Sequence, residues 1–214
     1  MIELVAFLGN PGKKYSRNRH NAGFLLAQKL PFYDTLSWQK KFKGYYAAMD
    51  RGGAAARLHF IKPETYMNLS GESVSAAAAF FKIKSDAILV IHDELELPLG
   101  TVSLKFSGGL GGHNGLRSMK ACFGTADFWR IRIGIGRPDS RLPGEGGPAG
   151  SGEGIVGWVL SDFDAAEAET LDRVLETASE LLLRALENDP KTLLPECAKI
   201  AINPVLQEGD GAPR

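Results

Sequence analysis

Apolar residues fall in short blocks along the chain, and the spacing within each block predicts its element. Residues 2–8 form an apolar run broken only by Glu3, the length of a buried strand, and run into the turn Gly9-Asn10-Pro11-Gly12. Residues 20–30 carry Ala22, Phe24, Leu25, Leu26 and Leu30 at helical spacing. Residues 44–49 and 57–61 flank Gly52-Gly53 and read as an antiparallel pair, while 70–82, rich in Ala, reads as a helix. Strands follow at 87–91 and 101–106, then a helix at 114–122 and a strand at 128–135. Over 164–187, Leu171, Val174, Leu175, Ala178, Leu181, Leu182 and Ala185 form a helical stripe that leaves the acids outside.

Strands alternating with helices, together with one hairpin, predict an α/β fold: a single domain with a twisted mixed β-sheet flanked by helices on both faces. A length of 214 residues with 44% hydrophobic positions suits one core. The domain is expected over 1–200 and a C-terminal tail over 201–214, of which Gln207 to Arg214 should fray. Within it, 138–153 is half Gly or Pro and reads as a mobile surface loop. No apolar run approaches the roughly 20 residues that cross a bilayer, so no membrane partner is expected. The apolar start lacks the length and cleavage site of a secretory signal, which makes a cytoplasmic location the expectation. Cys122 and Cys197 have no cysteine nearby and read as reduced structural thiols.

The net charge of zero hides a sorted distribution. Residues 1–62 hold 11 Lys or Arg against 3 acids, whereas 162–189 hold 2 against 9. A basic face of Lys13, Lys14, Arg17, Arg19, Lys40, Lys41 and Lys43 can follow a phosphate backbone, although ordinary solvated lysines account for it equally well.

Two glycine-rich turns invite a nucleotide reading and fail it. Gly9-Asn10-Pro11-Gly12-Lys13 has two residues between its glycines where a P-loop has four, and Lys14 stands where Ser or Thr is required. Gly108-Gly109-Leu110-Gly111-Gly112-His113-Asn114 puts Asn where a dinucleotide fingerprint needs its third Gly. Five polar residues remain at strand ends or helix starts: Asn10, His20, Asn68, Asp93 and Asn114. In an open α/β sheet such positions converge at the carboxyl ends of the strands. His20 with Asp93 would then supply a base and the carboxylate that orients it. Three of the five have a simpler alternative: Asn10 shaping a turn, Asn114 capping a helix, Asp93 belonging to an acidic run. His92 and His113 are assigned to packing or loop hydrogen bonds, and His59 to its strand. No metal-ligand spacing is present, and no nucleophilic Ser or Cys has the setting of a covalent hydrolase, so water is the expected attacking group.

Six blocks in order resemble the bacterial peptidyl-tRNA hydrolase family across about residues 2–200. They are Leu8-Gly9-Asn10-Pro11-Gly12, Arg19-His20-Asn21-Ala22-Gly23, Lys62-Pro63-Glu64-Thr65-Tyr66-Met67-Asn68-Leu69-Ser70-Gly71, His92-Asp93-Glu94-Leu95-Glu96-Leu97-Pro98, Gly111-Gly112-His113-Asn114-Gly115-Leu116 and Arg132-Ile133-Gly134-Ile135-Gly136-Arg137-Pro138. The resemblance implies a usually monomeric esterase without cofactor or metal, acting on peptidyl-tRNA. It assigns His20 as proton acceptor, Asp93 as the group that orients it, and Asn10 as the contact that separates a blocked from a free aminoacyl ester. It places Tyr15, Tyr66, Asn68 and Asn114 along the cleft for peptide and terminal adenosine. Lys105 and Arg132 match basic positions used near the tRNA 5′-phosphate. Asn18 and Leu110 depart from the pattern, where Thr and a polar residue are usual. The main rival, a non-catalytic RNA-binding protein on the same fold, would not need these site residues.

Overall fold

The computed structural model describes residues 1–51, 57–138 and 152–202. Its centre is strand β1 (Leu4–Phe7), buried along its whole length and flanked by parallel β4 (Leu58–Pro63) and β5 (Ile88–Glu94). The hairpin β2 (Gln39–Lys41) and β3 (Gly44–Met49) extends one side. Beyond β5 come β7 (Trp129–Gly134), β6 (Thr101–Phe106) and β8 (Ile200–Ala201), giving the mixed order β2-β3-β4-β1-β5-β7-β6-β8.

Because both faces of the central strands are covered, these strands read as continuous apolar runs, with alternation deciding which face each residue serves. Leu4, Ala6, Ile88 and Val90 pack against α2 (Ser70–Phe81) and α3 (Asn114–Phe123). Val5, Phe7, Leu89 and Ile91 pack on the other face against α1 (Ala22–Gln28) and α5 (Ala168–Glu187). The expected stripe of α5 is the buried one: Val174, Leu175, Ala178, Leu181, Leu182 and Ala185 all lie in the core.

This arrangement opens a crevice at a definite place. The helix after β1 lies on one face and the helix after the adjacent β4 lies on the other, so the chain leaves neighbouring strands in opposite directions. Asn10 follows β1, Asn68 follows β4 and Asp93 is the penultimate residue of β5, so all three reach that point. Gly23 lets α1 start directly over the strand ends: a Cβ there would lie 2.5 Å from the Leu8 carbonyl oxygen and 2.7 Å from that of Ile91.

Among the described residues, two strands and two α-helices lie outside the sequence expectations: β2, β8, α4 (Gly152–Val159) and α6 (Pro190–Cys197). Of the loop expected over 138–153, residues 139–151 lie outside the described residues, while Gly152 and Glu153 open α4. Of the expected tail, Ala201 pairs with Thr101 in β8 and Ile202 N donates to Gly100 O (2.7 Å), while residues 203–214 lie outside the described residues. Among the described residues no helix is long and apolar enough to cross a membrane.

Candidate active site

His20 sits on a 3₁₀ turn, Arg19–Asn21, immediately before α1. Its Nδ1 lies 2.9 and 3.0 Å from the two carboxylate oxygens of Asp93. A carboxylate only accepts, so Nδ1 carries the proton and Nε2 is left with its lone pair. Asp93 also accepts from His113 Nε2 at 3.0 Å. His113 is fixed from its other side, since its Nδ1 accepts from Gly115 N (3.1 Å) and Leu116 N (3.4 Å) as the N-cap of α3. The cap of α3 is therefore His113 and not Asn114. The sequence assigned His113 to packing or loop hydrogen bonds; it makes the latter as a cap, and a histidine whose Nδ1 caps a helix must turn Nε2 away from that helix, here onto Asp93.

Burial opposes charge on both central groups, and the pairing outweighs it. Burial lowers the His20 pKa, but the charge and hydrogen bonds of Asp93 raise it to a net value above the ordinary 6.5. Burial raises the Asp93 pKa, but His20 and His113 hold it well below the usual carboxylate range. His92, the preceding residue on β5, is fully enclosed and is pushed well below 6.5, first by burial and then by His113. Its Nδ1 donates to Asp93 O (2.6 Å), and its Nε2 is buried without a hydrogen-bond partner.

Asn10 is held at three points. Its N–H donates to Asn21 Oδ1 (2.8 Å), Asn21 Nδ2 donates to its carbonyl (3.0 Å), and its own Oδ1 accepts from Met67 N (2.8 Å). The Asn10 Nδ2 group is what remains to meet a ligand. Asn21, adjacent to His20, thus ties the loop after β1 to the turn that carries the imidazole.

Two cavities meet at His20. One is lined by Asn10, Tyr15, Tyr66, Asn68 and Asn114, so four of the five strand-end residues expected in one cleft share it. The other, about 330 Å³, holds Asp93, Glu94, His113 and Arg117 against the α4 side chains Val156 and Val159. Tyr66 is 58% exposed, an aromatic ring presented to solvent at the rim. Lys105 and Arg132 lie apart from both cavities. The β6–β7 register puts them on one face of the sheet, and Arg132 Nε donates to Glu94 Oε2 (2.9 Å), a residue of the second cavity.

The expected basic face is smaller than its sequence count. Arg19 is buried: it donates to Glu167 (2.5 Å) and Ser161 (2.8 Å), accompanies these with a bond to the Asp162 carbonyl, and stacks 3.8 Å from the Trp158 ring. Lys40 pairs with Glu64 (3.2 Å) and Lys43 with Glu72 (2.7 Å). Lys13, Lys14, Arg17 and Lys41 remain exposed without a carboxylate ion pair among the described residues, Lys41 lying over the Phe42 and Phe80 rings. Asn18 donates to the Leu160 carbonyl, which pins the His20 turn to the end of α4.

His20, Asp93 and His113 lie close enough to hold a metal ion, their donor atoms all within 4.8 Å of one another. The donor set suits protons better. A metal on His113 Nε2 would require a proton on Nδ1, which already accepts two backbone N–H groups.

A family model described as peptidyl-tRNA hydrolase matches residues 4–204. A curated peptidyl-tRNA hydrolase of Treponema pallidum (strain Nichols) is 46% identical over 189 residues, covering 88% of this chain and 89% of the relative. A crystal structure of peptidyl-tRNA hydrolase from Acinetobacter baumannii superposes with a TM-score of 0.73 at 33% identity, covering 92% of this chain and 96% of that one. A mutant of the Acinetobacter baumannii enzyme gives 0.80 at 32% identity, with 95% and 97% covered.

Proposed function

Because the chain belongs to the peptidyl-tRNA hydrolase family, we propose that its cleft hydrolyses the ester joining a peptide to the 3′-terminal ribose of tRNA, with His20 as the general base toward water. The observation that carries this reading is the His20–Asp93 pair, whose geometry leaves Nε2 as the proton acceptor at the junction of two cavities.

His20 Nε2 takes a proton from a water molecule as that water attacks the ester carbonyl. Asp93 fixes the tautomer and stabilises the imidazolium that forms, and His113 restrains Asp93. The collapsing tetrahedral intermediate expels the ribose oxygen, which recovers the proton from His20. An ester needs less activation than an amide, so a positioned base worth about 10²- to 10⁴-fold and fixed amide donors suffice without a covalent intermediate. Asn10 offers Nδ2 to a substrate carbonyl and thereby favours a blocked amine over a free ammonium. Asn68 and Asn114 pair with peptide groups whatever the side chains, because a carboxamide both donates and accepts. Tyr15 and Tyr66 flank the peptide and terminal adenosine, and Lys105 with Arg132 receive the 5′-phosphate.

The test compares N-acetyl-aminoacyl-tRNA with free aminoacyl-tRNA. The wild-type protein should release tRNA from the first and spare the second, and His20→Ala should lower kcat about 10²- to 10⁴-fold with the fold intact. Wild-type turnover in that variant would remove His20 from the mechanism.

A further inference from the structure

A third cavity, of about 430 Å³, lies on the far side of Asn10 and has no part in the chemistry above. Asn10 lines both it and the cavity that holds His20, Tyr66 and Asn68. Three cavities therefore follow one another, joined first at His20 and then at Asn10. The middle one takes the ester, and the one beyond His20 faces Arg117 and, through Glu94, Arg132. Lys105 and Arg132, which receive the 5′-phosphate in the reading above, share one face of the sheet on that side, so the peptide leaves toward Asn10.

Residues of the third cavity suit such a segment. Lys13, Phe24, Gln28, Tyr45 and Lys62 contribute to its lining, and its one carboxylate, Glu64, is paired with Lys40 (3.2 Å). Lys62 is half-buried and makes no carboxylate ion pair among the described residues. Its ammonium donates to Tyr33 Oη (2.9 Å) and lies 5.1 to 5.4 Å from the rings of Tyr33, Phe24 and Trp38. An ammonium has three donors, and one is accounted for here. Gln28 adds a donor and an acceptor, and Tyr45 a partly exposed ring.

Resting on the peptidyl-tRNA reading, we infer that this cavity is a subsite for the peptide upstream of the esterified residue, and that Lys62 favours an acidic side chain or a backbone carbonyl there. An extended peptide advances about 3.5 Å per residue, so a substrate carrying one amino acid ends in the middle cavity, whereas one carrying four passes Asn10. Length dependence and charge preference follow from a surface that a one-residue substrate never touches.

The experiment measures kcat/KM for N-acetyl-aminoacyl-tRNA and for a tetrapeptidyl-tRNA with aspartate third from the ester, in the wild type, Lys62→Met and Tyr45→Ala. The subsite predicts that both variants lower the tetrapeptide value, Lys62→Met about tenfold, and leave the one-residue value unchanged. Replacing the aspartate by alanine should remove most of the Lys62 effect. A variant that merely perturbed folding would reduce both substrates alike, and that result, or no change in either, overturns the subsite while the hydrolase reading stands. Failure of the wild type to cleave either substrate would overturn both.

Discussion

His20 can act as a base only while Nε2 carries no proton, so the pH at which its imidazole charges sets the acid limit of the reaction. Asp93 raises that pH above 6.5, and activity should fall as pH drops through the raised value. In Asp93→Asn the attraction disappears and burial alone remains. The acid limb of kcat should then move below 6.5, with a lower plateau because the ring is no longer oriented; a limb that stays in place would detach Asp93 from His20. Asn10 acts at the other end of the scissile group. Asn10→Ala should raise KM for blocked substrate and narrow its advantage over free aminoacyl-tRNA, leaving the pH profile of kcat unmoved. At this scale His20, Asp93 and Asn10 were legible in the sequence because polar residues at strand ends have one place to converge. His113 was not, because nothing in Gly112-His113-Asn114 tells which ring nitrogen the helix will occupy.

Elements position these residues through close approach. Gly23 brings α1 onto the Leu8 and Ile91 carbonyls, and the turn bearing His20 comes with it. Gly23→Ala forces α1 outward, with a cost of about 1–3 kcal/mol, so the variant should melt at lower temperature and lose activity beyond its loss of folded fraction. Buried elements were readable from periodicity because burial dictates where apolar residues go. The missed ones lack that signal. All three β2 residues are exposed, and its turn uses Phe42 and Lys43 at φ 56 and 54, without the Asn-Gly that marks such hairpins. Phe42 is held in place by Tyr46, Phe80 and Phe81 instead. Helix α4 opens within a glycine-rich run and buries only Val159. Helix α6 did carry a readable mark: Asp189 accepts from Lys191 N (3.0 Å) and Pro190 fills the first turn, a start signal that its brevity obscured.

Across the whole molecule, pH and salt should act through different groups. His92 is fully enclosed and its pKa is depressed, so the folded state resists a proton that the unfolded chain accepts below 6.5. Its contribution is intact above that pH and is lost as pH falls below it. His20 has the opposite sign, present below 6.5 and lost as pH rises through its raised value. His92→Gln removes the first of these contributions, so its melting temperature between pH 7 and pH 5 should fall less, or rise more, than that of the wild type. Salt reports on Lys105, Arg117 and Arg132, the cations on the side from which the nucleic acid arrives in this reading. Affinity for tRNA should weaken steeply with added salt, less so when these three are replaced by alanine. The fold class and the shared cleft were visible from the order of elements, whereas the strength of the basic face was not, since ion pairs with Glu64, Glu72 and Glu167 form only in three dimensions.

The central claim is that one imidazole, oriented by one carboxylate, takes the proton from water. The most direct measurement follows the His20 ring by NMR through a pH titration while kcat on N-acetyl-aminoacyl-tRNA is recorded over the same range. The two midpoints should coincide at a value above 6.5 and move down together in Asp93→Asn. A rate that falls at a pH where His20 does not titrate would contradict it.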